Sequence, residues 1–229
     1  MAFSPPRVHV GARDWDNAAA TDYWLNANSL SGQTAAASAT NPYGLSGWGW
    51  TTTSLTVVAG GTGDLNSSGD VDPTAIGTDA AADKLVSPKF FGGYDQFTRV
   101  AEILGYTPTI LRLKAYARFS TASANETTSG IGFMTGTDFA AAGSVGGWTS
   151  NGTNFFLTSD LGSDSGAAID TAWHVFQLDV GPTTTTTWYL DGSSQGTITT
   201  ETDIYPTSFK MIAGTTNRVQ LSWLRISYV

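Results

Sequence analysis

Residues 173–192, WHVFQLDVGPTTTTTWYLDG, constrain the fold of this chain more than any other segment. Two runs in which apolar and polar residues alternate, 173–180 and 185–190, flank a polar segment that begins with Gly-Pro. Alternation places successive side chains on opposite faces of a β-strand, so each run predicts a strand. The second run ends at Asp191-Gly192, a dipeptide that strongly favours a tight hairpin turn. The segment therefore predicts antiparallel sheet.

A third alternating run, residues 109–120, predicts a strand with one buried and one solvated face, as in an antiparallel sheet. The apolar face carries Leu111, Leu113, Ala115, Ala117 and Phe119, and the other carries Arg112, Lys114, Tyr116 and Arg118. Helical periodicity is nearly absent from the chain. Further strands are predicted at residues 51–58, 84–91, 97–104, 130–135 and 154–158.

The composition favours one large all-β domain. The chain has 229 residues, 41% of them hydrophobic, and eight tryptophans, which is ample for a core. Its many small and β-branched residues suit strands and tight turns. Residues 1–47, with Pro5-Pro6 and aromatic residues that follow no period, predict an extended N-terminal arm. Residues 48–229 are predicted to form the sandwich.

Charge and cysteine content exclude several classes of function. A net charge of -8 argues against nucleic-acid binding, because the cations needed to release phosphate counterions are missing. The absence of cysteine removes disulfides, thiolate metal sites and cysteine nucleophiles, and favours a bacterial or viral origin. No apolar run approaches the ~20 residues that span a bilayer, and the N-terminus lacks the apolar core of a signal peptide. We expect neither a nucleic acid nor a membrane as partner.

Several motifs in the C-terminal part of the chain carry a family resemblance. These are His174 one place into a strand, Leu178-Asp179-Val180, Trp188-Tyr189-Leu190-Asp191-Gly192, and a last strand with Leu224-Arg225-Ile226. They resemble the late strands of the concanavalin A-like lectin/glucanase superfamily, which includes laminin-G-like modules and jelly-roll β-glucanases. The resemblance implies an all-β, antiparallel β-sandwich of jelly-roll type.

The carboxylates argue against the hydrolysis that glucanases of this superfamily perform. Retaining hydrolysis needs two carboxyl groups ~5–5.5 Å apart. The three glutamates, Glu102, Glu126 and Glu201, lie on no common predicted strand. We therefore expect no enzymatic activity and no catalytic residues. His174 has two interpretations, a strand histidine hydrogen-bonded within the sandwich or a catalytic group, and the first is favoured.

Residues 64–72, DLNSSGDVD, have the oxygen-rich alternation of a calcium loop. The candidate ligands are Asp64, Asn66, Ser68, Asp70 and Asp72. The twelfth position is Ala75 instead of glutamate, so the alternative is a solvated turn, which is the favoured interpretation. Calcium would be structural, and no other cofactor is expected.

Aromatic residues beside glycine-rich loops are candidates for sugar stacking. They are Trp48, Trp50, Tyr94 and Trp148. Trp148 follows Gly146-Gly147, which predicts a position near a loop tip. Trp173, Trp188 and Trp223, by contrast, lie in alternating strands and are predicted to be core residues.

These observations favour a non-enzymatic virion structural protein: a phage head-decoration, head-fibre or tail-associated subunit, located in the virion. Its arm would bind capsid or tail proteins, and its lectin-like sandwich would bind host-surface glycans. A homo-oligomer is expected, with a trimer as the specific prediction. The alternatives are a stand-alone bacterial carbohydrate-binding module or adhesin domain, and a divergent glycanase.

Overall fold

The computed structural model describes residues 22–26, 51–53, 56–58, 75–77, 84–87, 96–119, 125–134, 144–159, 163–182, 185–199, 208–212 and 219–229. Within these ranges the chain forms fifteen strands and one helix. The strands are β1 (Asp22–Asn26), β2 (Thr51–Thr53), β3 (Thr56–Val58), β4 (Ala75–Gly77), β5 (Lys84–Val86), β6 (Leu111–Phe119), β7 (Asn125–Met134), β8 (Ser144–Asn151), β9 (Asn154–Thr158), β10 (Ser163–Ala168), β11 (His174–Val180), β12 (Thr185–Leu190), β13 (Ser193–Thr199), β14 (Ser208–Ile212) and β15 (Val219–Tyr228). The helix is α1 (Gln96–Leu104).

The strands form two antiparallel sheets that share one hydrophobic core. The first sheet has the order β13-β12-β11-β6-β15-β4-β3, and β1 also pairs with β15. The second sheet has the order β10-β9-β8-β7-β14-β5-β2. The predicted all-β antiparallel sandwich is confirmed.

Both alternating segments that predict the fold form strands, and β6 has the two faces that were expected. Along β6 the buried residues alternate with partly exposed ones over all nine positions. Strand β11 pairs with β6 on one side and with β12 on the other. The hairpin between β12 and β13 turns at Asp191 and Gly192, whose φ angles are 49° and 83°. Two successive positive φ angles are typical of the type I′ turn that Asp-Gly favours.

The core is aromatic, and two of its tryptophans join the sheets. Trp148 in the second sheet donates its indole N–H to the carbonyl oxygen of Gln177 in the first sheet, at 3.3 Å. Trp188 in the first sheet donates to the carbonyl oxygen of Gly147 in the second sheet, at 3.0 Å. Because each buried indole N–H finds a backbone acceptor, these large rings fill the core without an unpaired donor.

Residues 97–104 form most of helix α1, so the strand predicted for them is wrong. Phe97 and Val100 are buried, whereas Thr98 and Glu102 are exposed, and this spacing fits a helix with one face on the core. The Phe97 ring meets the Tyr228 ring edge-on, with centroids 5.8 Å apart. The helix is held by packing against the sandwich, which the short apolar run did not reveal.

Five residues of the segment predicted as an arm form strand β1. Residues 22–26 lie within the segment 1–47, yet they pair with residues 223–227 of β15 in continuous antiparallel register. They are therefore part of the first sheet. The other residues of the predicted arm lie outside the described ranges.

No helix in the described part of the chain has the length and apolar character needed to cross a membrane.

Candidate functional site

The outer face of the first sheet gathers polar and aromatic side chains. Every second residue of β6 points away from the core, and all four of these residues are partly exposed. The register of the neighbouring strands places Trp223 opposite Tyr116, and Arg225 opposite Lys114. We call the outward-pointing side chains of β6, β11, β12 and β15, together with the adjoining Trp173, the outer face.

A β-bulge in β15 turns Trp223 toward the outer face. Leu221 pairs with the buried Ala117, but the next pair is Trp223 with Tyr116, because Ser222 is an extra residue between them. In a regular strand Trp223 would share the core face with Leu221. Within the described residues, the Ser222 hydroxyl is a buried side-chain group with no hydrogen-bond partner. Such a group costs about 1–3 kcal/mol, so the bulge carries a stability cost.

Three rings lie next to one another on this face, and we call Tyr116, Trp173 and Trp223 the aromatic row. The ring centroids of Tyr116 and Trp173 are 5.3 Å apart with planes inclined by 35°. Those of Tyr116 and Trp223 are 6.2 Å apart with planes inclined by 25°. Each ring is partly exposed. The row is thus a continuous set of three moderately inclined rings that solvent reaches.

Polar side chains are fixed beside the aromatic row. The guanidinium carbon of Arg118 lies 5.1 Å from the centroid of the Trp173 ring. Arg118 Nε donates a hydrogen bond of 2.7 Å to Gln220 Oε1. The cation–π contact and the hydrogen bond hold the guanidinium in one position.

The other side of the outer face contains a partly buried ion pair. Arg112 donates from Nε and Nη2 to the two carboxylate oxygens of Asp179, at 2.8 and 2.7 Å. Gln177 adds a hydrogen bond of 2.9 Å to Asp179 Oδ1. The hydrogen bond to Asp179 raises the pKa of Arg112 despite the opposing effect of burial. Asp179 therefore accepts three hydrogen bonds from its neighbours.

Two tryptophans predicted for the core belong to the outer face instead. Trp223 is displaced by the bulge, which alternation of the sequence does not show. Alternation had also suggested the core for Trp173, and that prediction is wrong: Trp173 has the same parity as Val175 and Gln177, which are partly exposed as it is. Trp188 is fully buried, with 0% exposure, which confirms its prediction.

Trp148 lies in strand β8 and is fully buried, with 0% exposure, so its predicted place at a loop tip is wrong. Its ring packs against Phe176 at a centroid distance of 5.3 Å. Gly146 precedes it because the sheets approach closely there: a Cβ at Gly146 would lie 2.8 Å from Thr186 Cγ2. Gly146, one of the two glycines that suggested a loop, serves close packing instead. A ring buried in this way offers no face to a sugar.

The remaining predicted site residues fall outside the described ranges. These are the aromatic candidates Trp48, Trp50 and Tyr94 and the calcium candidates Asp64, Asn66, Ser68, Asp70 and Asp72. Their roles stay predictions. In the part of the chain that the structure describes, no group of three or more histidine or acidic side chains is arranged to hold a metal ion.

The glutamates occupy separate elements where they are described. Glu102 is exposed on α1 and Glu126 belongs to β7, while Glu201 lies outside the described ranges. The expectation that the chain is not an enzyme stays a prediction.

His174 sits at the edge of the core between two carboxylates. Its Nδ1 is 2.6 Å from Asp191 Oδ2, and its Nε2 is 2.9 Å from Asp170 Oδ1. Asp191 also accepts a hydrogen bond of 2.8 Å from the Val175 N–H, and Asp170 accepts one of 2.8 Å from the Ala172 N–H. We call Asp170, His174 and Asp191 the His174 cluster. It ties the β12–β13 turn and the segment before β11 to the start of β11.

The cluster favours the charged form of the imidazole. Burial by itself would lower the pKa of His174, but the hydrogen bonds to Asp191 and Asp170 outweigh it and raise the pKa above 6.5. Burial likewise opposes ionisation of Asp170, yet the bonds from His174 and Ala172 hold its pKa below 3.8. Since both ring nitrogens face carboxylates, the geometry supports the structural interpretation of His174 over the catalytic one.

Comparisons with known proteins give distant structural likenesses. No family model matches the chain, and no curated protein sequence matches it. The binding domain of botulinum neurotoxin serotype D is 9% identical, with a TM-score of 0.45, over 79% of this chain and 44% of that one. A carbohydrate esterase from the Shiga toxin-encoding bacteriophage phi24B is 14% identical, with a TM-score of 0.45, over 78% of this chain and 89% of that one. The cellulose-induced protein Cip1 is 13% identical, with a TM-score of 0.47, over 76% of this chain and 86% of that one.

This chain therefore spans less than half of the neurotoxin chain. Likeness of this degree assigns no function, and membership of the concanavalin A-like superfamily stays a prediction.

Proposed function

We propose that this chain is a carbohydrate-binding β-sandwich domain and that the outer face of its first sheet is the binding site. The observation that carries the proposal is the aromatic row, in which three partly exposed rings lie side by side with neighbouring planes inclined by 35° and 25°. The C–H-rich faces of sugar rings are apolar and pack on aromatic rings, while their hydroxyl groups need polar partners nearby. The outer face supplies both.

The fixed polar groups support the same function. Arg118 is held by Trp173 and Gln220, so it loses little conformational freedom when a ligand binds. Gln177 is aligned by its bond to Asp179. Side chains positioned before binding can donate to sugar hydroxyls with a small entropic cost.

The bulge in β15 supports it further. Bulges are over-represented beside functional sites, where they re-aim a side chain. Here the re-aimed side chain is Trp223. The same bulge leaves the Ser222 hydroxyl buried without a hydrogen-bond partner. A ring needed only for packing would gain more free energy in the core.

The test replaces rings of the aromatic row one at a time and compares the saccharide affinity of these variants with that of a variant lacking an exposed ring elsewhere. We expect Trp173→Ala and Trp223→Ala each to weaken saccharide binding about tenfold or more, as for aromatic anchors of interfaces. Tyr106→Ala is the matched control, because Tyr106 is 51% exposed and follows helix α1. A glycan array identifies a ligand, and isothermal calorimetry measures its affinity for each variant.

Circular dichroism and the thermal midpoint show whether each variant keeps its fold. Unchanged affinity in folded Trp173→Ala and Trp223→Ala proteins would contradict the proposal, as would equal weakening by Tyr106→Ala.

The virion setting predicted from the sequence is the second candidate, with this domain as a decoration, fibre or tail-associated subunit. Low charge, abundant threonine, glycine, serine and alanine, and the absence of cysteine favour it. Light scattering of the purified chain measures its oligomeric state, which differs between a virion subunit and a stand-alone module. A particle of three chains supports the virion subunit, whereas a monomer that binds glycans supports a stand-alone carbohydrate-binding module.

A further inference from the structure

We infer that the saccharide recognised by the outer face is anionic and bears carboxylate or sulfate groups. This inference rests on the proposed function and names the class of its ligand.

The charged residues of the outer face are mainly positive, although the net charge of the chain is negative. The chain has a net charge of -8 and only eleven lysines and arginines. Four of these cations lie on the outer face, namely Arg112, Lys114, Arg118 and Arg225. In the described strands of the first sheet the acidic residues are two, namely Asp179, which is paired with Arg112, and Asp22 in β1. Cations therefore outnumber carboxylates on these strands of an acidic protein.

Two of the cations face each other across neighbouring strands. Lys114 in β6 lies directly opposite Arg225 in β15, and on its other side it lies opposite Gln177 in β11. Like charges directly opposite each other in an antiparallel pair destabilise a sheet. An anionic group bound beside Lys114 would reduce this repulsion, so the arrangement favours an anion at Lys114.

The cations lie close to the aromatic row along both strands. Lys114 and Arg118 are the residues two before and two after Tyr116 in β6, and Arg225 is two residues after Trp223 in β15. Side chains two apart on one face of a strand are about 7 Å from each other. A sugar ring on the row would thus have cationic groups within reach of its acidic substituents.

A single-stranded nucleic acid also combines flat rings with negative charge. The net charge of -8 repels a phosphate backbone that continues beyond the face, whereas a short acidic saccharide stays on it. The acidic saccharide is the favoured ligand, and an oligodeoxythymidylate is included as a probe.

The experiment uses probes that differ in charge on one backbone. Polygalacturonate and its fully methyl-esterified form differ only in the free carboxylates. Chondroitin and chondroitin sulfate differ in the sulfates. We expect the charged member of at least one pair to bind more tightly than the neutral or less charged member. The pair that shows this difference tells whether carboxylate or sulfate is recognised. Binding of the charged probe should weaken as salt rises.

Charge-removing variants locate the effect. We expect Lys114→Gln and Arg225→Gln each to weaken binding of the acidic probe about tenfold, as for loss of a charged hydrogen bond. Lys84→Gln is the matched control, because Lys84 is exposed on β5 in the second sheet. This control should leave the affinity unchanged.

The outcomes separate the two proposals. Binding of neutral saccharides through the aromatic row, with no preference for the charged probes and no effect of Lys114→Gln, overturns the anionic ligand and leaves the proposed function standing. Tighter binding of the oligodeoxythymidylate than of every saccharide overturns the inference in favour of a nucleic acid. A folded protein that binds no saccharide on the array or among the probes overturns both.

Discussion

At the scale of residues, His174 shows how one imidazole can join three segments. It is the first residue of β11, and its carboxylate partners come from the turn after β12 and from the segment before β11. An imidazole that is hydrogen-bonded to a carboxylate through each ring nitrogen is favoured in its protonated form, because both nitrogens then donate. The cluster should therefore stabilise the sandwich only within a range of pH.

The pH dependence has a definite sign. The pKa of His174 is raised in the folded chain. Its contribution to the free energy of unfolding is therefore complete below pH 6.5 and disappears as pH rises through the folded pKa. The pKa of Asp170 is lowered, so its contribution is present above pH 3.8 and disappears as pH falls through the folded pKa. We expect His174→Gln to cost about 1 kcal/mol near pH 5, because both carboxylates are half exposed, and less above pH 8.

Urea unfolding of both proteins between pH 4 and pH 9 measures this difference. Parallel stability profiles for the wild type and His174→Gln would contradict the role assigned to the cluster.

At the scale of elements, turns and close contacts place different demands on glycine. Gly192 needs only its left-handed backbone, because its φ is 83° and a Cβ built there would have no neighbouring atom within 4 Å. Gly130 in β7 has a φ of 152°, and a Cβ there would lie 1.9 Å from the carbonyl oxygen of Trp148. The first glycine serves a hairpin, and the second serves contact between two strands.

Alanine at these two positions should have unequal effects. Gly192→Ala should lower the free energy of unfolding by about 1–2 kcal/mol, the cost of a left-handed alanine. Gly130→Ala should lower it by more than about 4 kcal/mol, because a backbone atom must move to relieve the clash. Chemical denaturation of the two variants at one pH makes the comparison. A Gly130→Ala protein as stable as Gly192→Ala would show that β7 and β8 are not this close.

At the scale of the whole molecule, the N-terminal segment contributes a strand to the sandwich. Strand β1 pairs with β15 over five residues, beside the part of β15 that carries Trp223 and Arg225. Removing β1 would expose the edge of β15 and its unpaired backbone groups. Stability and the shape of the outer face should therefore both depend on residues 22–26.

Two truncations test this dependence. Removing residues 1–21 keeps β1, whereas removing residues 1–26 deletes it. We expect the longer deletion to lower the thermal midpoint by about 5–10 °C relative to the shorter one, because a strand pairing is lost. Differential scanning calorimetry compares them, and equal midpoints would show that β1 adds nothing to the folded state.

The all-β class, the two faces of β6 and the Asp191-Gly192 turn could all be predicted from the order of the residues. Alternation and turn chemistry are local properties, so they can be recognised without knowing which strands are neighbours. Helix α1 was not predicted from the sequence, because its buried face is defined by the core that it covers.

Which tryptophans are buried and which form the aromatic row depends on how the strands pack. Trp148 lies in the core, where Gly146 lets the two sheets approach, and Trp223 leaves the core because one extra residue in β15 reverses the alternation. The pairing of Lys114 with Arg225, and of His174 with carboxylates from two other segments, likewise depends on the folded arrangement. Register is set by contacts between strands far apart in the chain, and a single strand's sequence does not contain it.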